Sequence, residues 1–99
     1  MYMKQLLILA GLFCSILLLA CSERLYKPVE ANTAKHGVPL ADLQKGRALY
    51  VRHCAGCHNL HAPSTLSAEK WRTQMQEMQI QAKISDTVRD LIYNYLISE

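Results

Sequence analysis

Residues 54–58 read Cys-Ala-Gly-Cys-His, and no other stretch restricts so sharply what this chain can become. Two thiols three positions apart, with an imidazole directly after them, are the attachment signature of a c-type haem. Each thiol can add to one porphyrin vinyl group, and the histidine is then held over one axial face of the iron. Gly56 leaves room where backbone lies against the ring. A C-x-x-C pair also serves as a thioredoxin-like redox couple or as half a zinc site, so the compartment has to decide among these chemistries.

The amino-terminal residues speak to the compartment. One charged side chain, Lys4, precedes the uncharged run LLILAGLFCSILLLA at 6–20. This is the charged and then apolar layout of a secretory signal peptide, and the run is short of the roughly 20 apolar residues that span a bilayer. It ends at Leu18-Leu19-Ala20-Cys21 and turns polar at Ser22-Glu23-Arg24. The ending resembles a bacterial lipobox, in which a small residue precedes a cysteine that is acylated and becomes the mature amino terminus; Leu19 departs from the smaller residue more usual there. The resemblance implies lipidation of Cys21, loss of Cys14 with the signal, and a domain in the bacterial cell envelope facing the periplasm. An uncleaved anchor helix is the alternative, and it also leaves the domain exported and membrane-tethered. An exported C-x-x-C-H favours haem over zinc, because c-type haem is attached outside the cytoplasmic membrane in the bacterial systems this resembles.

Of the 99 residues, about sixty then remain for a fold, a size at which apolar burial is marginal and a staple is needed. A covalent haem is such a staple. Eleven Lys plus Arg stand against eight Asp plus Glu. That slight excess lacks the clustered basic face that nucleic acid requires. Internal repeats are absent, which excludes solenoids and a second haem motif within this sequence.

The chain divides into a signal peptide at 1–20, a lipidated tether at 21–39 and a domain at 40–99. The tether carries Pro28, Gly37 and Pro39 among scattered charges, without an apolar period, so it reads as a flexible coil spanning about 20–25 Å; His36 is then a solvated linker residue. Helical spacing of Leu43, Gly46, Leu49 and Tyr50 predicts a helix over 40–53, with Asp42 in its first turn. Gly46 costs such a helix about 1 kcal/mol relative to alanine, and close approach of another helix would account for it. Residues 59–67, with Pro63, form a loop. Ser67 is placed to cap a helix over 68–81, on which Trp71, Met75, Met78 and Ala82 make one stripe. Ser85 opens a last helix over 86–96. Its buried face is Val88, Leu91, Ile92, Tyr95 and Leu96, with Asp86, Arg89, Asp90 and Asn94 turned outward. Three helices without a strand signal make the domain all-α.

Taken together, Gly46, Leu49 and Tyr50 ahead of the Cys54–His58 motif, then Trp71 and a methionine, then Ile92 and Tyr95 near the end, resemble the small single-haem cytochrome c family over nearly all of residues 40–99. The resemblance implies a compact three-helix domain around one covalent haem c, with Gly46 and Tyr50 of the first helix crossing Ile92 and Tyr95 of the last. It implies attachment at Cys54 and Cys57, His58 as one axial ligand, and Met78, seven residues after Trp71, as the other. Met75 is the alternative sixth ligand, and an open sixth position the third possibility. The free ring nitrogen of His58 would donate to a carbonyl of the loop containing Pro63. Trp71 would donate its indole N–H to a propionate or cap the haem edge as apolar bulk. Arg52, Lys70 and Arg72 would offset propionate charge or remain solvated. His53 and His61 read as structural or solvated groups.

The function implied is transfer of single electrons between membrane-associated or periplasmic redox proteins, with the lipid anchor holding the carrier near them. No bond chemistry and no small-molecule substrate is implied. The alternatives are a haem subunit of a larger oxidoreductase, and a haem sensor or peroxidase-like protein with an open sixth site.

Overall fold

A computed structural model describes residues 2–23, 25–54 and 60–99. Among them are five α-helices, one short 3₁₀ turn and no strand: α1 (Tyr2–Glu23), α2 (Glu30–His36), α3 (Leu40–His53), the 3₁₀ turn at Pro63–Thr65, α4 (Ala68–Ala82) and α5 (Asp86–Ile97). The protein is therefore all-α. The uncharged run inside α1 covers about 22 Å at 1.5 Å per residue, against about 30 Å of hydrocarbon. Among the described residues no helix is long and apolar enough to cross a membrane.

The helices α3, α4 and α5 form where the apolar spacing predicts them, and their ends have local causes. Ser67 accepts a hydrogen bond from the Lys70 amide and Ser85 from the Val88 amide, each 3.2 Å long, so both hydroxyls satisfy an otherwise unpaired first-turn donor. At the other end of α4, Lys83 turns left-handed at φ 53° and donates its amide to the Gln79 carbonyl. The Pro63 ring starts the 3₁₀ turn, where its missing N–H costs nothing.

Helix α3 crosses α5 at Gly46. A Cβ at that position would lie 2.1 Å from the Leu91 carbonyl oxygen and 2.9 Å from the Tyr95 Cβ. Only a residue without a side chain permits this approach, which explains a glycine inside a helix. The crossing is the one expected, although its tightest contact is the Leu91 backbone rather than Ile92. Ile92, Tyr95 and Leu96 supply the buried face of α5, while Val88 and Leu91 stay half-buried. Asp86 and Asp90 are exposed as expected. Arg89, expected to point free into solvent, is half-buried and bonds Gln79, Asp86 and Asp90.

Residues 25–39 depart from the expectation of a flexible tether. Leu25 is 3% exposed and belongs to one apolar cluster with Tyr50, Trp71, Met75, Ile92, Tyr95 and Leu96. The Tyr26 ring stacks on Tyr95, centroids 4.6 Å apart and planes 9° from parallel. The two tyrosines exchange hydroxyl-to-carbonyl hydrogen bonds, Tyr26 to the Tyr95 carbonyl and Tyr95 to the Tyr26 carbonyl. Arg47 Nε of α3 donates to that same Tyr26 carbonyl at 3.2 Å. Further along, Asn32 donates to the Ser98 carbonyl at 2.9 Å and Lys35 to the Glu99 carbonyl at 3.0 Å. The segment is a strap. The physical reason is that a few anchors, Leu25, Tyr26 and Asn32, do the holding, and anchors without a repeat leave no periodic signal in the sequence. The seven-residue α2 within it has no buried residue of its own. Its ends are fixed locally: Asn32 accepts from the Val29 amide at 2.9 Å, and Gly37 closes it at φ 69° with its amide on the Thr33 carbonyl.

Candidate functional site: a cleft between α3 and α4

Helix α3 ends at His53, and Cys54 follows with its amide bonded to the Tyr50 carbonyl at 3.1 Å. The first thiol of the motif thus sits on the last turn of a helix clamped to α5. Helix α4 lies across from it and presents the Trp71–Met75–Met78 stripe. Between them is a cleft of about 140 Å³ whose walls are Tyr50, Cys54, Leu60, His61, Trp71, Gln74, Met75 and Met78. Met75 is 2% exposed and wedged in the core, whereas Met78 is half-buried at the cleft. Cys57 and His58 lie outside the described residues, as does the side chain of Cys21.

Two aromatic donors shape the far side of the motif. Tyr50 donates its hydroxyl to the His61 carbonyl at 2.8 Å, and Trp71 donates its buried indole N–H to the Pro63 carbonyl at 2.8 Å. Trp71 and Tyr50 meet edge to face, centroids 6.1 Å apart. The expectation that the Trp71 N–H serves a propionate is therefore corrected. Burial would leave that N–H unsatisfied without a fixed acceptor, and the Pro63 carbonyl supplies one. The side chain of His61 is exposed, and Arg52, Lys70 and Arg72 are exposed as well, in keeping with the solvated alternative for each.

Burial governs the electrostatics here. Desolvation pushes the Cys54 thiol above the usual range, so it is held as neutral S–H rather than as thiolate. It also lifts Tyr50 to about 12, helped by nearby Cys54 and opposed by the hydrogen bond at His61. Apolar and aromatic walls, a neutral thiol at one edge and two thioether sulfurs from one helix are a donor set that fits a c-type haem. Among the described residues, no three His, Cys, Asp or Glu side chains gather as a metal cluster.

Sequence reasoning picked out Cys54, Trp71, Met75 and Met78 for the site, and the fold brings all four to one cleft. Tyr50, read as a crossing residue, and His61, read as structural or solvated, line it too, and Leu60 and Gln74 were missed. Gln74 stands three residues after Trp71, so the helical spacing that marked the stripe already put it on the same side. Leu60 follows the motif in a loop, where no period applies.

No curated protein and no solved structure matches the chain. A family model described as dihaem cytochrome c matches residues 50–99, from the last turn of α3 through the cleft to the end of the sequence. That match begins at the residue whose hydroxyl holds the loop behind the motif, runs through every wall of the cleft, and covers half of the sequence: the chain belongs to the dihaem cytochrome c family.

Proposed function

We propose that this protein is a single-haem c-type cytochrome that passes one electron at a time between redox proteins at the membrane or in the periplasm. The observation that carries the reading is the convergence of Cys54, Trp71, Met75 and Met78 on one largely apolar cleft. The family description names two haems, whereas this sequence has one C-x-x-C-H, at residues 54–58. That single motif supports the reading of one covalent haem on residues 1–99. When bound, haem supplies reversible one-electron chemistry at iron, and the chain supplies everything else.

Cys54 and Cys57 would hold the porphyrin by thioether bonds, and His58 would ligate its iron; the second iron ligand would be Met78. Its half-buried position leaves its sulfur freer to take up a ligand position than that of Met75, which is already a core side chain. A thioether ligand raises the potential relative to a second histidine. Tyr50, Leu60 and Trp71 exclude water from the cleft, and lower polarity around the cofactor tunes its potential further. Cys21 is acylated and holds the domain at the periplasmic face of a bacterial membrane. Redox proteins are its partners, and it catalyses no bond chemistry on a substrate.

A pyridine haemochrome assay combined with the mass of the mature protein tests this reading. One haem per chain and a mass that places a lipidated cysteine first are expected. Two haems, or none, would overturn the single-haem assignment. Met78→Ala should retain covalent haem, lose the ferric absorption near 695 nm that reports methionine ligation, and open the iron to carbon monoxide. If Met75→Ala does this instead, Met75 is the ligand.

A further inference from the structure

Only residues 21–24 separate the end of the apolar run from Leu25, whose side chain is buried in the domain. Four steps of chain reach at most about 14 Å fully extended. Beyond Leu25 the strap has little slack to release. Tyr26 is stacked on Tyr95 and cross-bonded to it, its carbonyl is held by Arg47, and Asn32 is bonded to the end of the chain beyond α5. The strap thus grips both helices of the Gly46 crossing, the most tightly packed part of the domain.

Resting on the reading that Cys21 is acylated, we propose that the lipid surface is itself a docking partner of this domain. The strap holds the face around Leu25–Lys27 against the headgroups instead of letting the domain swing on a coil. Charges on this stretch balance, Arg24 and Lys27 against Glu23 and Glu30, so the contact rests on the shortness of the tether. The height of the haem cleft above the bilayer is then fixed by the fold. A redox partner must bring its own centre to that height, which selects proteins seated in or on the same membrane.

The test uses the acylated holoprotein in vesicles of phosphatidylethanolamine and phosphatidylglycerol that carry a headgroup fluorophore emitting where haem absorbs. Quenching per bound protein reports the distance from haem to lipid surface. Inserting ten Gly and Ser residues between Arg24 and Leu25 supplies the missing slack and should reduce quenching at least about twofold, since a flexible chain of that length adds about 15–20 Å of reach. Tyr26→Ala, which opens the strap, should reduce quenching in the same direction. Equal quenching by wild type and the insertion variant would overturn the proposal. So would rapid tryptic cutting after Lys35 in the wild type that releases a haem-bearing fragment from the vesicles. Wild-type protein that fails to float with the vesicles would overturn both the docking and the anchor reading. Soluble protein resistant to trypsin at Lys35 would then localise the failure to the anchor, and soluble protein cut there would place it in the strap as well.

Discussion

The strap at residues 25–36 and the helical pair α3–α5 are held to the same core by opposite means. In α3 and α5 the apolar residues recur at helical spacing, and one glycine sets the crossing through backbone contact at Leu91. The strap contributes two side chains, Leu25 and Tyr26, to that core, with Asn32 and Lys35 tying its far end to the carbonyls of Ser98 and Glu99. The difference is one of redundancy. A periodic face spreads its burial over four or five positions and tolerates the loss of one. A strap held by a few unlike anchors, Leu25, Tyr26, buried Pro28 and Asn32, depends on each.

Substitutions at the two regions break that comparison in order of size. Gly46→Ala should have the largest effect: the new methyl meets a backbone carbonyl that cannot move alone, so α3 and α5 must separate, costing about 3 kcal/mol or more by urea denaturation. A loss below about 1 kcal/mol would show that the crossing is slack. Tyr26→Ala should cost about 2–4 kcal/mol, from lost burial and from the ring stack. It should also raise hydrogen exchange in residues 30–36 while leaving α4 protected. If exchange rises evenly over all the helices, the strap is part of one cooperative unit and the contrast drawn here fails. Ser67→Ala and Ser85→Ala should each cost about 1 kcal/mol, the value of one N-cap, and the two should add because the caps share no partner.

A separate effect is one of pH. Burial raises the hydroxyls of Tyr26, Tyr95 and Tyr50, the last to about 12, whereas in the unfolded chain all three ionise near 10. The native state therefore keeps its protons where the unfolded state loses them. Stability should be level below about pH 10 and fall as pH rises beyond it. Urea midpoints measured between pH 8 and 11.5 check this. Tyr26→Phe should soften the fall by removing one titrating group from the clasp.

Much of the domain could be read from the chain beforehand, and the reasons are specific. Leu43, Gly46 and Tyr50 mark a helix with a buried edge, Ser67 and Ser85 mark two starts, and Trp71, Met75 and Met78 mark a stripe that does line the cleft. Each of these is a local or periodic signal. Leu25 and Tyr26 carry none, because Leu25 joins a cluster drawn from α3, α4 and α5 and Tyr26 stacks on Tyr95, sixty-nine positions beyond it, and nothing in the surrounding composition of prolines and charges announces that distant core. Trp71 shows the same limit at shorter range. Its place on the stripe was legible, but the acceptor of its N–H depended on where the turn at Pro63–Thr65 would set a carbonyl.

Those two indole and phenol hydrogen bonds have a consequence for how the cofactor is acquired. Cys54 is fixed by the final turn of α3, and the carbonyls of His61 and Pro63 are pinned by Tyr50 and Trp71, so the polypeptide on either side of residues 55–59 is secured by groups that owe nothing to porphyrin. The Cys54 thiol is thus presented from a frame whose described contacts are all between protein groups.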